Sequence, residues 1–189
     1  MRWTPFPLAL LLLACAGAPD ATAPGALDVV DLDGKHHAVF VPGPMVTVLL
    51  FVTVDCPIAN SYAPQIAALV RDHGALPVRF LLVHVDPSVG GERVREHARQ
   101  FDLPGPIVLD PTHALTRRAG ATVTPEAVVL DRAGQLVYRG RIDDAWAELG
   151  RRRTAPRTQD LRDAVAAALS GQPVPTPWPP AVGCVIQQP

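Results

Sequence analysis

Residues 46–54 read VTVLLFVTV, and the run stops at Asp55-Cys56-Pro57. A continuous stretch of β-branched and apolar side chains, without alternation, describes a strand buried on both faces at the centre of a sheet. Pro57 suits the first turn of a helix, where its missing N–H is not needed. The spacing predicts a helix over 57–73, closed by Gly74. Cys56 therefore sits where a buried strand gives way to a helix N-terminus. A thiol there faces unpaired amides and the positive end of the helix, which favours the thiolate, the form that attacks disulfides and peroxides or binds metals. An inert core cysteine is the commoner fate of this residue type, but a strand end joined to a helix start is not a core position.

The rest of the chain supplies partners for that strand. Residues 27–35 alternate in character and contain Asp33-Gly34, the signature of an opening hairpin. Residues 78–85 (VRFLLVHV) form a second buried strand, 92–101 a helix, 107–109 a short strand and 112–119 a short helix. Residues 127–130 and 136–138 flank Asp131-Arg132-Ala133-Gly134 and predict an antiparallel hairpin. Leu161, Ala164, Val165, Ala168 and Leu169 lie on one face of a last helix, with Thr158 as the expected N-cap and Gly171 as the stop. The order predicts an α/β fold, a mixed central sheet with helices on both faces and an N-terminal hairpin extension.

The ends of the chain differ from this body. Arg2 followed by the apolar run 7–14 reads as a targeting segment too short to span a bilayer. Leu12-Leu13-Ala14-Cys15 resembles a bacterial lipobox, with Cys15 as the lipidated residue; cleavage at Ala14-Cys15-Ala16 and an uncleaved anchor are the alternatives. The expected division is a signal peptide over 1–15, a tether over 16–26, the domain over 27–171 and a mobile proline-rich tail over 172–189 that carries Cys184. Lys and Arg (17) nearly balance Asp and Glu (18), so the chain lacks the basic surface that a nucleic-acid partner requires. The six histidines show no metal-ligand spacing, and Arg151-Arg152-Arg153 with Arg157 reads as a solvated loop.

Two motifs carry a family resemblance. Phe51-Val52-Thr53-Val54-Asp55-Cys56-Pro57, with Ala63-Pro64 downstream, resembles the active-site helix of thioredoxin-like proteins, in which the mid-helix proline makes a kink. The segment Val123-Thr124-Pro125-Glu126, running into the Asp131–Gly134 hairpin, is similar to the family's second signature. The resemblance implies a cis peptide at Thr124-Pro125, with Pro125 against Cys56 and the Thr124 backbone pairing with an extended substrate. There are departures. Ala59 and Asn60 stand where dithiol and copper-delivering relatives carry a second cysteine. Thr53 fits the threonine of peroxiredoxins, but Leu49 replaces their proline and Glu126 stands near the place of their arginine.

The chain thus resembles the alkyl hydroperoxide reductase/thiol-specific antioxidant-like branch of redoxin-domain proteins, with a single Cys-Pro-x-x-Asn site and a terminal Gly183-Cys184. That implies an oxidoreductase, and the N-terminal segment ending at Cys15 adds the expectation that it is exported, periplasmic or at the cell surface, and tethered to the membrane by lipid. Cys56 is its nucleophile, Cys184 a resolving thiol, and Thr53, Thr124 and Pro125 the substrate platform. Protein thiols or disulfides, or a peroxide, are the implied partners, and no cofactor is implied. Asp143 is a candidate proton carrier or else a turn-forming carboxylate. Three alternatives stay open for the two thiols: a copper or zinc site with one histidine, an intermolecular or free thiol, and a permanent structural staple.

Overall fold

A computed structural model describes residues 25–187, so Cys15 and nearly all of the tether lie outside the described residues. An opening hairpin, β1 (Leu27–Val30) and β2 (His36–Val39), leads into β3 (Val46–Val52), α1 (Pro57–Ser61), α2 (Ala63–Asp72), β4 (Val78–His84) and α3 (Gly91–Gln100). Then follow β5 (Ile107–Leu109), α4 (Ala114–Ala119), β6 (Val123–Thr124), β7 (Glu126–Leu130) and β8 (Leu136–Gly140). A small hairpin, β9 (Trp146–Glu148) and β10 (Arg151–Arg152), precedes α5 (Asp160–Ser170) and a terminal strand, β11 (Cys184–Val185).

The main sheet has the order β5-β4-β3-β7-β8. β3 lies at its centre, parallel to β4 and antiparallel to β7, with Leu50 beside Leu82 on one side and Ala127 on the other. Every residue of β3 is buried. The reason is a layer on each face: Val48, Leu50 and Val52 pack with α1, α2 and α5, while Leu49 and Phe51 pack with α4, β2 and Ile186 of the tail. The mixed sheet expected from the element order is therefore present, with its opening hairpin and helices on both faces.

The helix expected over 57–73 is two helices that meet at Tyr62, which caps the end of α1 and the start of α2. Pro64, in the first turn of α2, has no N–H to continue the helical ladder, so the first helix ends in a tight turn from the Tyr62 N–H to the Ala59 carbonyl (3.0 Å). α5 starts from Gln159 rather than from Thr158. The Thr158 N–H points to Asp144 (3.1 Å) and its hydroxyl to Asp160, so it serves carboxylates and not the helix end. α4 begins at Ala114 because the Asp110 carboxylate accepts the Leu115 and Thr116 N–H groups (3.2 and 2.8 Å). Arg151 and Arg152 form a strand rather than a loop, and Arg153 pairs with Asp144 at 3.1 Å.

The tail differs most from expectation. It is docked along the domain. The Arg139 N–H on the outer edge of β8 and the Arg141 N–H just past its end donate to the carbonyls of Pro177 and Pro179 (3.0 and 3.3 Å). Prolines accept from that edge and offer no N–H for a further strand, which blunts it. The chain then crosses to β6, where β11 pairs antiparallel with Cys184 opposite Thr124 and Val185 opposite Val123. Ile186 anchors the end: its side chain is buried in the core and its N–H donates to the Thr122 carbonyl (2.9 Å).

His84, the last residue of β4, is buried with its Nε2 unpartnered, and its ring lies edge-on to His97 with centroids 5.6 Å apart. Burial, reinforced by the neighbouring His97, pushes its imidazole down to about 4. The unfolded chain binds a proton there near pH 6.5 while the folded chain does not, so stability falls as pH drops from about 6.5 towards 4. Up to about 3 kcal/mol is lost over that window. Denaturant midpoints measured across it should fall for the natural chain and fall less for His84→Gln.

Candidate active site

Cys56 occupies the junction that the sequence describes. It is the N-cap of α1, in extended conformation (φ −82°, ψ 108°), and its sulfur accepts the Ala59 N–H at 3.4 Å. The thiol donates to the Thr124 carbonyl at 3.0 Å. The Thr124-Pro125 peptide is cis, and Thr124 Oγ1 lies 3.4 Å from Thr53 Oγ1. Cys56, Thr53, Thr124 and Pro125 are therefore brought together. Cys184 joins them through the β11–β6 pair, with both cysteines as free thiols. Gly183 makes this approach possible. A Cβ on it would meet the Thr124 carbonyl oxygen, come to 2.6 Å from the Thr124 carbonyl carbon and to 3.2 Å from the Pro125 nitrogen. The Gly-Cys pair thus has a packing reason: any larger residue would lift the tail off the site.

Asp143 is engaged elsewhere. Its Oδ1 accepts the Tyr62 hydroxyl (2.7 Å) and the Ala145 N–H (2.8 Å), which ties the segment after β8 to the α1–α2 junction. Its hydrogen bonds run to these groups and not to the Cys56 sulfur.

The family model described as Redoxin matches residues 18–151. The chain belongs to the Redoxin family. Comparison with curated proteins finds no match. Among solved structures, the chain is similar to an uncharacterized conserved protein from Geobacillus kaustophilus, at 27% identity over 87% of this chain and 89% of that one, with a TM-score of 0.73. A hypothetical protein from Sinorhizobium meliloti 1021 is similar at 26% identity over 85% and 90% of the two chains, with a TM-score of 0.72. A secreted Mycobacterium tuberculosis disulfide oxidoreductase, described as homologous to DsbE of E. coli, shares the fold at 18% identity over 75% and 95%, with a TM-score of 0.54.

Two positions that stand out in the sequence only as departures from relatives brace the site of this redoxin. The Asn60 amide donates to the Val54 carbonyl (3.0 Å), and its Oδ1 accepts from His97 Nε2 (2.8 Å), so the end of β3, the start of α1 and α3 are braced around Cys56. Glu126, which stands near the place of the peroxiredoxin arginine, turns its Oε2 to the N–H groups of Thr122 and Val123 (2.7 and 3.4 Å) and so fixes the segment that carries Thr124. Arg139 lies 3.7 Å from the same carboxylate and also donates to the Gly120 carbonyl (2.9 Å). Polar residues inside otherwise apolar elements were the available signal; their partners, distant in sequence, were not readable.

The two thiols are electrostatically unequal. Burial pushes the Cys56 thiol up, but the Cys184 thiol, the Ala59 N–H, the Thr124 side chain and the Cys184 N–H all donate towards its sulfur and together hold it below the ordinary cysteine range. Cys184 moves the other way: burial, its role as donor to Cys56 and the charge on Cys56 push it up to about 11. Of the two, Cys56 gives up its proton more readily and Cys184 holds its own more firmly. A cleft of about 450 Å³ opens beside them, between Thr53–Cys56, the loop 85–88 and the tail 184–187. No histidine lines it, and among the described residues no group of three or more His, Cys, Asp or Glu side chains could hold a metal ion.

Proposed function

We propose that this redoxin is a thiol–disulfide oxidoreductase whose working pair is Cys56 and Cys184. The observation that carries the reading is the β11–β6 register, which sets Cys184 opposite Thr124, the residue whose carbonyl accepts the Cys56 thiol. The Cys56 thiolate attacks one sulfur of a disulfide substrate and expels the other as a thiolate. Cys184 then attacks the Cys56 sulfur of the mixed disulfide, and its proton passes to the departing thiolate. The products are the reduced substrate and a Cys56–Cys184 disulfide, which an external dithiol reduces again. The fold shared with a secreted disulfide oxidoreductase supports the same chemistry. Disulfide exchange is favoured over peroxide reduction by what faces the sulfur: thiol, amide and hydroxyl donors, while Arg139 is committed to Glu126 and Gly120.

A resolving role for Cys184 has a distinct signature. In Cys184→Ser the first attack proceeds but the mixed disulfide on Cys56 has no internal thiol to release it. Intact-mass analysis of the reduced variant, mixed with a disulfide, should show it carrying one substrate half. Absence of that adduct, with turnover unchanged, would exclude the role.

Export and membrane tethering belong to the same reading, supported by Arg2, the apolar run 7–14 and the lipobox-like sequence ending at Cys15. Lipidation at Cys15 predicts that Cys15→Ser moves the protein from the membrane fraction to the soluble one. An unchanged distribution would exclude the anchor.

A further inference from the structure

The strand-pairing position beside Cys56 is already filled by the chain's own tail, which sets Cys184 and Val185 against Thr124 and Val123. The strap is held at three separate places. Gly183 rests on the Thr124 backbone, Ile186 is buried in the core, and Pro177 and Pro179 lie along β8. An extended polypeptide seeking to pair with Thr124 has to remove all of this first, and Cys56 is only 1% exposed beneath it. What stays open is the cleft of about 450 Å³ that is lined by both Cys56 and Cys184, a size that encloses a small molecule. Val85, Pro87, Val185 and Ile186 make its wall largely apolar, and the charged side chains that line it are the carboxylates of Asp55 and Asp86.

We infer that the substrate of this site is a small disulfide carrying no negative charge, and that the docked tail excludes polypeptides from Cys56. The inference rests on the oxidoreductase reading above. In the reaction, Cys56 thiolate and RSSR give Cys56–SR and RS⁻. Cys184 then displaces the second RS⁻ and leaves its own proton on it. One disulfide is reduced to two thiols while the Cys56–Cys184 disulfide forms, and a dithiol recharges the protein. The carboxylates at the cleft disfavour an anionic disulfide and tolerate a neutral or cationic one, a preference that salt weakens.

The test uses the reduced full chain and follows formation of the Cys56–Cys184 disulfide with cystamine, 2-hydroxyethyl disulfide, oxidised glutathione and insulin. Each rate is divided by the rate of the same disulfide with dithiothreitol. Cystamine and 2-hydroxyethyl disulfide should exceed oxidised glutathione by about tenfold at low salt, with the gap closing at high salt. They should exceed insulin by about 100-fold, and Gly183→Val or Ile186→Ser, each of which loosens the tail, should narrow the gap to insulin. Insulin reacting as fast as the small disulfides in the natural chain, or oxidised glutathione leading them, overturns the inference and leaves the oxidoreductase reading intact. Failure of all four to oxidise the pair removes that reading, and the inference with it.

Discussion

Replacing Cys56 with serine should lower disulfide turnover by at least about 1,000-fold while leaving the fold in place. Serine is a preferred N-cap, so its oxygen takes over the Ala59 N–H that the sulfur now accepts, and α1 keeps its start. The loss is chemical. A hydroxyl in the same place does not ionise near neutral pH, whereas the donors around Cys56 hold its thiol below the ordinary range. The check is steady-state reduction of 2-hydroxyethyl disulfide driven by a dithiol, compared with circular dichroism and unfolding of the same variant. Equal turnover in Cys56→Ser would contradict the assignment of the nucleophile. Loss of turnover together with loss of structure would not count for it, and the unfolding data separate the two.

The second large effect is on stability. Closing a Cys56–Cys184 disulfide should raise the unfolding free energy by about 5 kcal/mol, because a loop of more than 100 residues is removed from the freedom of the unfolded chain. Engineered disulfides commonly fall short of this figure because they distort the native state. Here the reduced fold already holds β11 against β6, with Ile186 buried and Gly183 seated on the Thr124 backbone, so closure asks for little rearrangement. For a domain of this size the gain corresponds to a rise in melting temperature of roughly 10–20 °C. Denaturant unfolding with and without a reductant reads it directly. Cys184→Ser should show no such difference between the two conditions.

The fold was legible where local pattern and global environment agree. The unbroken apolar run of β3 required a layer on both faces, and both layers are present. The Asp131–Gly134 turn between apolar runs fixed the β7–β8 hairpin, and Cys56 before Pro57 fixed the helix start. What could not be read depended on contacts between distant segments. The tail has too many prolines to signal a strand, and β11 exists because β6 offers it a partner and the core accepts Ile186. Thr158 looked like an N-cap, but carboxylates remote from it or just inside the helix competed for its N–H and hydroxyl. Cys56, Thr124 and Pro125 stand in recognisable motifs, and the fold brings them together. Asn60 and Glu126 were visible only as departures from relatives, and their bracing roles appear with His97, Val54 and the Thr122–Val123 amides in place.

The central proposal is that the two sulfurs act as one couple. Its most direct test is to oxidise the reduced protein with a slight excess of 2-hydroxyethyl disulfide, block remaining thiols with an alkylating reagent and map the digest by mass. A peptide joining Cys56 to Cys184 within one chain, absent after reduction and absent from Cys56→Ser and Cys184→Ser, is the predicted result. Cys56 and Cys184 recovered separately, each alkylated or joined to another chain, would contradict it.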